Sequence, residues 1–249
     1  MGRLTGKRAL MTGAGGLLGS ELCRGMASEG ADLILTTRTA AKLAPLAEEI
    51  RGLGVRAATV AADFTKGEDM DRLASEAWDA FGGIDVVVFS SQPSHPRMGD
   101  LLSTSEADFR DQFEAQTWGL LRLMRNLHPK MVAAGGASII TFTSSCGFDP
   151  APGYDAYGMG KAGLWWLTKN MAAQWGKDNI RANAVQPGTI ITGDAYPLED
   201  AKRAGAFERR VSLRRGGRND EVVGAVVYFA SDESSYTSGQ LLAVNGGRF

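Results

Sequence analysis

Tyr157 and Lys161 stand four residues apart in a segment of helical period, so both side chains share one helix face. A lysine ammonium beside a phenol favours the phenolate and lowers the tyrosine pKa toward a range useful for proton transfer. Alone, such a pair is common on solvated helix faces. Ser144, at the end of an apolar run upstream, turns the pair into a constellation, because its hydroxyl can bind a reacting oxygen while Tyr157 exchanges its proton.

A second group of residues lies near the start of the chain. The stretch Thr12-Gly13-Ala14-Gly15-Gly16-Leu17-Leu18-Gly19 follows a short apolar run and precedes a helical segment. Glycines there make either a tight strand-to-helix turn or a cradle in which a pyrophosphate meets backbone N–H groups at a positive helix end. The Gly-Lys-Ser/Thr of a P-loop is missing. The second apolar run ends Thr36-Thr37-Arg38-Thr39, where an acidic residue would grip the ribose of NAD and a basic one accommodates the extra phosphate of NADP. Arg38 fits NADP(H), with NAD(H) still possible, or is a solvated strand-end residue. Asp63, closing the third run, either meets an adenine edge or caps the next turn.

These residues need a scaffold, and its period is visible. Candidate strands at Arg8–Thr12, Asp32–Thr37, Val55–Ala61, Ile84–Ser90, Ser138–Thr143, Ile180–Gln186 and Leu241–Val244 alternate with helical stretches. The helices are expected at Leu17–Glu29, Ala40–Leu53, Met70–Phe81, Thr104–Ala133, Tyr154–Gly176 and Asp220–Ser231. Nearly continuous apolar strands alternating with helices predict an α/β fold, a Rossmann-type doubly wound parallel sheet of about seven strands with helices on both faces. No linker or repeat divides the chain, so one dinucleotide-binding domain is expected over residues 1–249. The polar, glycine-bearing segment Gly193–Arg218 reads as a mobile substrate loop.

Composition agrees. With 249 residues, 44% hydrophobic and 22% charged, the chain can bury a full core, which excludes a disordered or coiled-coil protein. A formal charge of −1 supplies no field for a nucleic acid or an anionic membrane surface. The two cysteines, Cys23 and Cys146, make neither a disulfide framework nor a zinc site, and no metal is expected. Met1–Arg8 contains no apolar signal core and no stretch is long enough for a membrane helix, so a cytoplasmic protein is expected.

Taken in order, Thr12-Gly13 with Gly16 and Gly19, Asp63, Ser144, Tyr157 with Lys161, Asn183, Pro187-Gly188 with Thr192, and Asn245-Gly246-Gly247 resemble the short-chain dehydrogenase/reductase family, in its short single-domain branch. The resemblance covers essentially the whole chain. It implies that Ser144 stabilises the substrate oxygen, that Tyr157 is the acid or base, and that Lys161 binds the nicotinamide ribose and tunes Tyr157. It further implies a cofactor-binding set of Gly13, Gly15, Gly16, Leu18, Gly19, Arg38, Asp63, Phe64, Ser90, Ser91, Tyr157, Lys161, Pro187, Gly188, Ile190 and Thr192. A homo-oligomer, expected to be a tetramer, would bury the helices at Thr104–Ala133 and Tyr154–Gly176; Trp165 and Trp166 fit such packing.

Three departures from the family pattern stand out. Leu17 replaces a glycine, and since leucine tolerates positive φ poorly the turn should take a different path. Phe89-Ser90-Ser91-Gln92 replaces Asn-Asn-Ala-Gly, so the support at the fourth strand must be rebuilt. Gln116 takes the place of a catalytic asparagine on the long fourth helix, with the same donors and acceptor on a longer arm.

The leading expectation is an NADP(H)-dependent oxidoreductase acting between a carbonyl and a secondary alcohol. A nucleotide-binding sensor without turnover and a cofactor-independent lyase of the halohydrin dehalogenase kind are the alternatives; Lys161 and the glycine turn disfavour the lyase. The substrate should be walled by Gln92–Met98, Cys146–Pro150, Tyr154 and Gly193–Leu198, with His95 and Cys146 as wall rather than reagents. The basic cluster Arg209, Arg210, Arg214, Arg215 and Arg218 either attracts an anionic substrate or forms a solvated or interface face.

Overall fold

The computed structural model describes residues 2–92, 101–191 and 211–248. Seven strands, β1 Arg8–Thr12, β2 Asp32–Thr37, β3 Ala57–Ala61, β4 Val86–Phe89, β5 Ala137–Phe142, β6 Ile180–Pro187 and β7 Leu241–Val244, form one sheet in the order β3-β2-β1-β4-β5-β6-β7. Every pairing is parallel. Among the described residues the α-helices are α1 Leu17–Ser28, α2 Ala44–Gly52, α3 Gly67–Phe81, α4 Glu106–Phe113, α5 Gly119–Ala133, α6 Asp155–Trp175 and α7 Asp220–Ala230.

Alternation along the strands builds two cores. In β1, Ala9 and Met11 face one side and Leu10 the other; the first side is covered by Leu22 and Met26 of α1, Ile50 of α2 and Val226 of α7. The second side is covered by Leu73 of α3, Leu123 and Leu127 of α5, and Leu164 of α6. Sheet residues buried from both faces are what parallel pairing requires, and the doubly wound expectation holds.

The long fourth helix does not run unbroken. Between α4 and α5, Glu114–Trp118 form a π-helical turn, closed by the Gly119 N–H donating to the Glu114 carbonyl. Gly119 faces Phe64, where a Cβ would come within 2.6 Å of the Phe64 carbonyl oxygen. The extra residue in the turn lets the helix keep its apolar face on the sheet while passing this contact. The start of α4 is secured by a capping box, Ser105 Oγ accepting from the Asp108 N–H at 3.2 Å and Asp108 Oδ2 from the Ser105 N–H at 3.3 Å. Strand β3 begins later than Val55 because Arg56 turns to Asp32, its guanidinium 2.7 Å away.

Most of the expected loop Gly193–Arg218 lies outside the described residues. Its two ends are held together: Ile191 N–H donates to Gly217 O at 2.8 Å and Gly217 N–H to Thr189 O at 3.0 Å. No described helix is long and apolar enough to cross a membrane.

Candidate active site

The strand order reverses between β1 and β4, and the loops leaving their carboxyl ends part to open a cleft of about 700 Å³. One wall is the glycine turn. Gly13 adopts φ 69°, and Gly16, at φ −82° and ψ 163°, caps α1 without a side chain. Leu17 is therefore the first residue of α1 and does not adopt positive φ; the described non-glycine residues with positive φ are Asn179 and Arg214. Gly19 packs so closely that a Cβ would stand 2.1 Å from the Gly13 carbonyl oxygen.

The replaced fourth-strand motif is supported from β1. Thr12 Oγ1 accepts from the N–H groups of Ser90 and Ser91, at 3.0 and 3.1 Å, and holds that loop beside Gly13. Asp63 lines the cleft while its Oδ1 accepts from Thr65 N–H at 3.0 Å, so it also serves as the turn cap. Arg38 is exposed at the cleft edge, between Thr37 and Lys42, and forms no ion pair with a described residue. Lys42 was not singled out from the sequence. It closes a short 3-10 turn at Ala40–Lys42, inside the segment expected to be the start of a helix, and lines the same cleft as Arg38.

Deeper in, Ser144 leaves β5 in extended conformation and caps a 3-10 turn at Ser145–Gly147, accepting from Cys146 N–H at 3.3 Å. This turn lies against α6 through glycines on both partners. A Cβ on Gly158 would come within 2.4 Å of Cys146 O, and one on Gly147 within 2.9 Å of Ala162 N. The close approach brings Ser144 beside Tyr157, and the two side chains line the same space. Lys161, one helical turn on, is 3% exposed and donates from Nζ to Phe142 O at 2.8 Å. Its Nζ lies 5.6 Å from the centroid of the Tyr157 ring.

The expected lowering of the tyrosine pKa does not appear. Burial pushes Tyr157 up to about 12, and the Ser144 hydroxyl offsets this only in part. Burial also drives Lys161 down to about 8. Desolvation penalises both charged forms, and the neutral carbonyl that Lys161 Nζ meets brings no opposing charge. This has a consequence for stability. Between pH 8 and the ordinary lysine value of 10.5 the unfolded chain binds more protons than the folded one, so stability rises with pH across that window. Denaturant melts should show native protein gaining about 3 kcal/mol relative to K161M between those limits, since the variant has no such proton to release. Tyr157 has the opposite sign, favouring the fold less as pH rises from 10 to about 12.

Gln116 sits in the π-helical turn, fully buried, with Nε2 donating to Gln112 Oε1 at 2.6 Å and packed near Gly160. Its Oε1 has no partner. Ala115, rather than Gln116, lines the cleft.

A second cavity of about 520 Å³ adjoins the first, and Gln92, Ser144, Tyr157, Pro187 and Gly188 wall both. The two spaces meet at the Ser144–Tyr157 pair. Cys146, Pro150 and Tyr154 line the second cavity as expected, along with Arg248, which no motif in the sequence marks. Of the residues expected around a dinucleotide, Gly13, Gly15, Gly16, Leu18, Gly19, Arg38, Asp63, Phe64, Ser90, Ser91, Tyr157, Lys161, Pro187, Gly188 and Ile190 all line the larger cleft. Thr192, His95, Pro93–Met98 and Gly193–Leu198 lie outside the described residues. So do Arg209 and Arg210. Within the basic cluster, Arg215 pairs with Glu221 at 2.6 Å and Arg218 with Asp220 at 3.0 Å.

The larger cleft suits a dinucleotide on its own terms. It is roomy, it brings backbone against a helix start through Gly13, Gly16 and Gly19, and it ends at a phenol, a hydroxyl and an ammonium. Comparison with known proteins agrees. A family model described as Enoyl-(Acyl carrier protein) reductase matches residues 13–248. An uncharacterised oxidoreductase of Mycobacterium tuberculosis is 38% identical over 99% of this chain and 94% of its own. The 7α-hydroxysteroid dehydrogenase of Escherichia coli is 30% identical over 98% of this chain and 95% of its own. A solved 7α-hydroxysteroid dehydrogenase complexed with NADH and 7-oxo glycochenodeoxycholic acid superimposes with TM-score 0.91 and 29% identity, over 99% of this chain and 95% of that one. L-Sorbose reductase from Gluconobacter frateurii, complexed with NADPH and L-sorbose, gives TM-score 0.91 at 28% identity, covering 100% and 98% of the two chains.

Proposed function

Because the chain belongs to the short-chain dehydrogenase/reductase family of oxidoreductases, we propose that it interconverts a carbonyl and a secondary alcohol with NADP(H), using Tyr157 as acid and base. The observation that carries this reading is the junction of the two cavities at Ser144 and Tyr157. The nicotinamide, when bound, donates or accepts the hydride. Ser144 holds the substrate oxygen by a hydrogen bond, and Tyr157 hands that oxygen a proton in reduction and takes it back in oxidation. Lys161 reaches the nicotinamide ribose from α6 and supplies positive charge beside the phenol. The negative charge of a dinucleotide would favour the ammonium form of Lys161 and so oppose the desolvation that lowers its pKa.

A bile-acid ketone and a ketose are far apart in size and polarity, so the two relatives share with this chain a reaction rather than a substrate. The decisive experiment is a panel of ketones, aldehydes and secondary alcohols incubated with NADPH, NADH and their oxidised forms. Steady cofactor turnover with any carbonyl supports the proposal; tight nucleotide binding without turnover across the panel would replace it with a sensor.

The choice of NADP(H) rests on Arg38, with Lys42 as its neighbour at the cleft edge. A 2′-phosphate carries nearly two negative charges, and a guanidinium meets it with paired hydrogen bonds. Arg38→Ala should weaken NADPH binding about tenfold to a hundredfold while NADH changes little, as fluorescence titration would report. Equal losses for both cofactors would leave Arg38 a solvated strand-end residue.

Assembly is part of the proposal. Phe113 and Trp118 leave 42% and 37% of their surface exposed, and Met159 and Trp166 on α6 leave 56% and 67%. Phe113 lies against Gly163 of α6, so these side chains belong to neighbouring elements. Burying them between subunits explains their type. Light scattering at micromolar concentration should give a tetramer, and a Trp166→Glu variant should shift it to smaller species; a native monomer refutes the arrangement.

A further inference from the structure

We propose that the substrate of this site is an anion as well as a carbonyl or alcohol, and that Arg248 is the residue that reads its carboxylate or phosphate oxygens. The inference rests on the oxidoreductase reading above and names the substrate class for it.

Arg248 is the one charged side chain among the described residues lining the smaller cavity. The other polar walls, among them Gln92, Ser145 and Tyr154, are neutral, and Pro150, Ala151 and Pro152 are apolar. No described carboxylate lines this space to neutralise or repel. Arg248 is half-buried, and its guanidinium makes no hydrogen bond or ion pair with a described residue. Arg215 and Arg218, nearby in the fold's C-terminal region, are by contrast held by Glu221 and Asp220. A partly desolvated guanidinium without a counter-ion is unfavourable by itself, and an oxyanion meeting its planar fork with two hydrogen bonds relieves that cost.

The backbone beneath Arg248 is built to hold it there. After β7 the chain reverses through Gly246 and Gly247, at φ 68° and 75°. Asn245 Oδ1 accepts from the N–H groups of Gly247 at 3.0 Å and Arg248 at 3.3 Å. Leu213 N–H donates to Gly246 O at 3.0 Å and Ser212 N–H to Gly247 O at 3.1 Å, and Arg248 itself bridges Val211 in antiparallel fashion. The backbone that carries the side chain is thus fixed before a ligand arrives, which lowers the entropy lost on binding. With a formal charge of only −1 over the whole chain, selection for an anion must come from such a local group.

The test pairs each anion with an uncharged partner of the same skeleton. NADPH oxidation would be followed with 4-oxopentanoate and 5-oxohexanoate against their methyl esters, and with dihydroxyacetone phosphate against dihydroxyacetone. At least one anion should exceed its partner tenfold or more in kcat/KM, and the pair that does so separates a carboxylate from a phosphate ligand. In R248Q that ratio should fall to about one, with R248K in between. A merely structural role for Arg248 would lower both members of a pair together and leave the ratio intact, which overturns the inference, as does an ester matching its acid throughout. Calorimetric titration of the same compounds onto protein saturated with NADP⁺ separates the two readings. Anion binding lost in R248Q, without turnover of any carbonyl, defeats the oxidoreductase reading and keeps the anion site. Turnover without anion preference defeats the inference alone.

Discussion

Tyr157→Phe should lower kcat by about two to four orders of magnitude, the usual contribution of a positioned acid or base, while leaving NADPH affinity within a small factor of the native value. The substitution removes one oxygen. The ring stays, with its edge contact to Tyr154 at 6.2 Å and its place beside the Lys161 ammonium. What disappears is the hydroxyl proposed to give the reacting oxygen its proton, in the space it shares with Ser144. Steady-state rates, with nucleotide affinity from fluorescence titration, measure the two effects separately. If the variant keeps rates within tenfold of native, another group moves the proton and the acid/base assignment fails. The pH profile adds a second readout. A tyrosine pushed up to about 12 by burial delivers a proton readily, but it can take one back near neutral pH only if positive charge such as that of Lys161 brings it down. The alcohol-oxidising direction should therefore gain with rising pH more steeply than carbonyl reduction does.

Lys161→Ala should damage binding and rate together. The ammonium is the buried cation in the wall of the cleft, and its bond to Phe142 O orients it there. If Lys161 holds the ribose as proposed, its removal takes away a charge-assisted donor, equivalent to roughly tenfold to a hundredfold in cofactor affinity. It also takes away the positive charge that steadies the phenolate, so kcat should fall by about a further hundredfold. The diagnostic is the split between the two variants: Tyr157→Phe loses kcat alone, and Lys161→Ala loses both kcat and cofactor affinity. A Lys161→Ala protein that binds NADPH as native does would place the lysine outside the cofactor site.

Much of this site is legible in the chain because its parts are local. A tyrosine and a lysine four apart in a helical segment must share a face, and a glycine turn between a strand and a helix must offer bare N–H groups, whatever the rest of the molecule does. Strand period and alternation with helices imply the doubly wound sheet for the same reason, and the sheet then places every loop that follows a strand at one edge. What the chain does not reveal depends on neighbours distant in sequence. The π-helical turn at Glu114–Trp118 accompanies the close approach of Gly119 to Phe64, a contact invisible to helical period. Ser144 meets Tyr157 because Gly147 and Gly158 let a turn and a helix approach closely, and neither glycine belongs to a recognisable motif. Lys42 and Arg248 enter the two cavities through a short 3-10 turn and a glycine reversal, where the lateral position of a side chain is decided by tertiary packing. The direction of the Tyr157 and Lys161 shifts was the least legible. Spacing makes the two side chains neighbours, but which charged form survives depends on how much water the folded walls exclude, and only the assembled structure decides that.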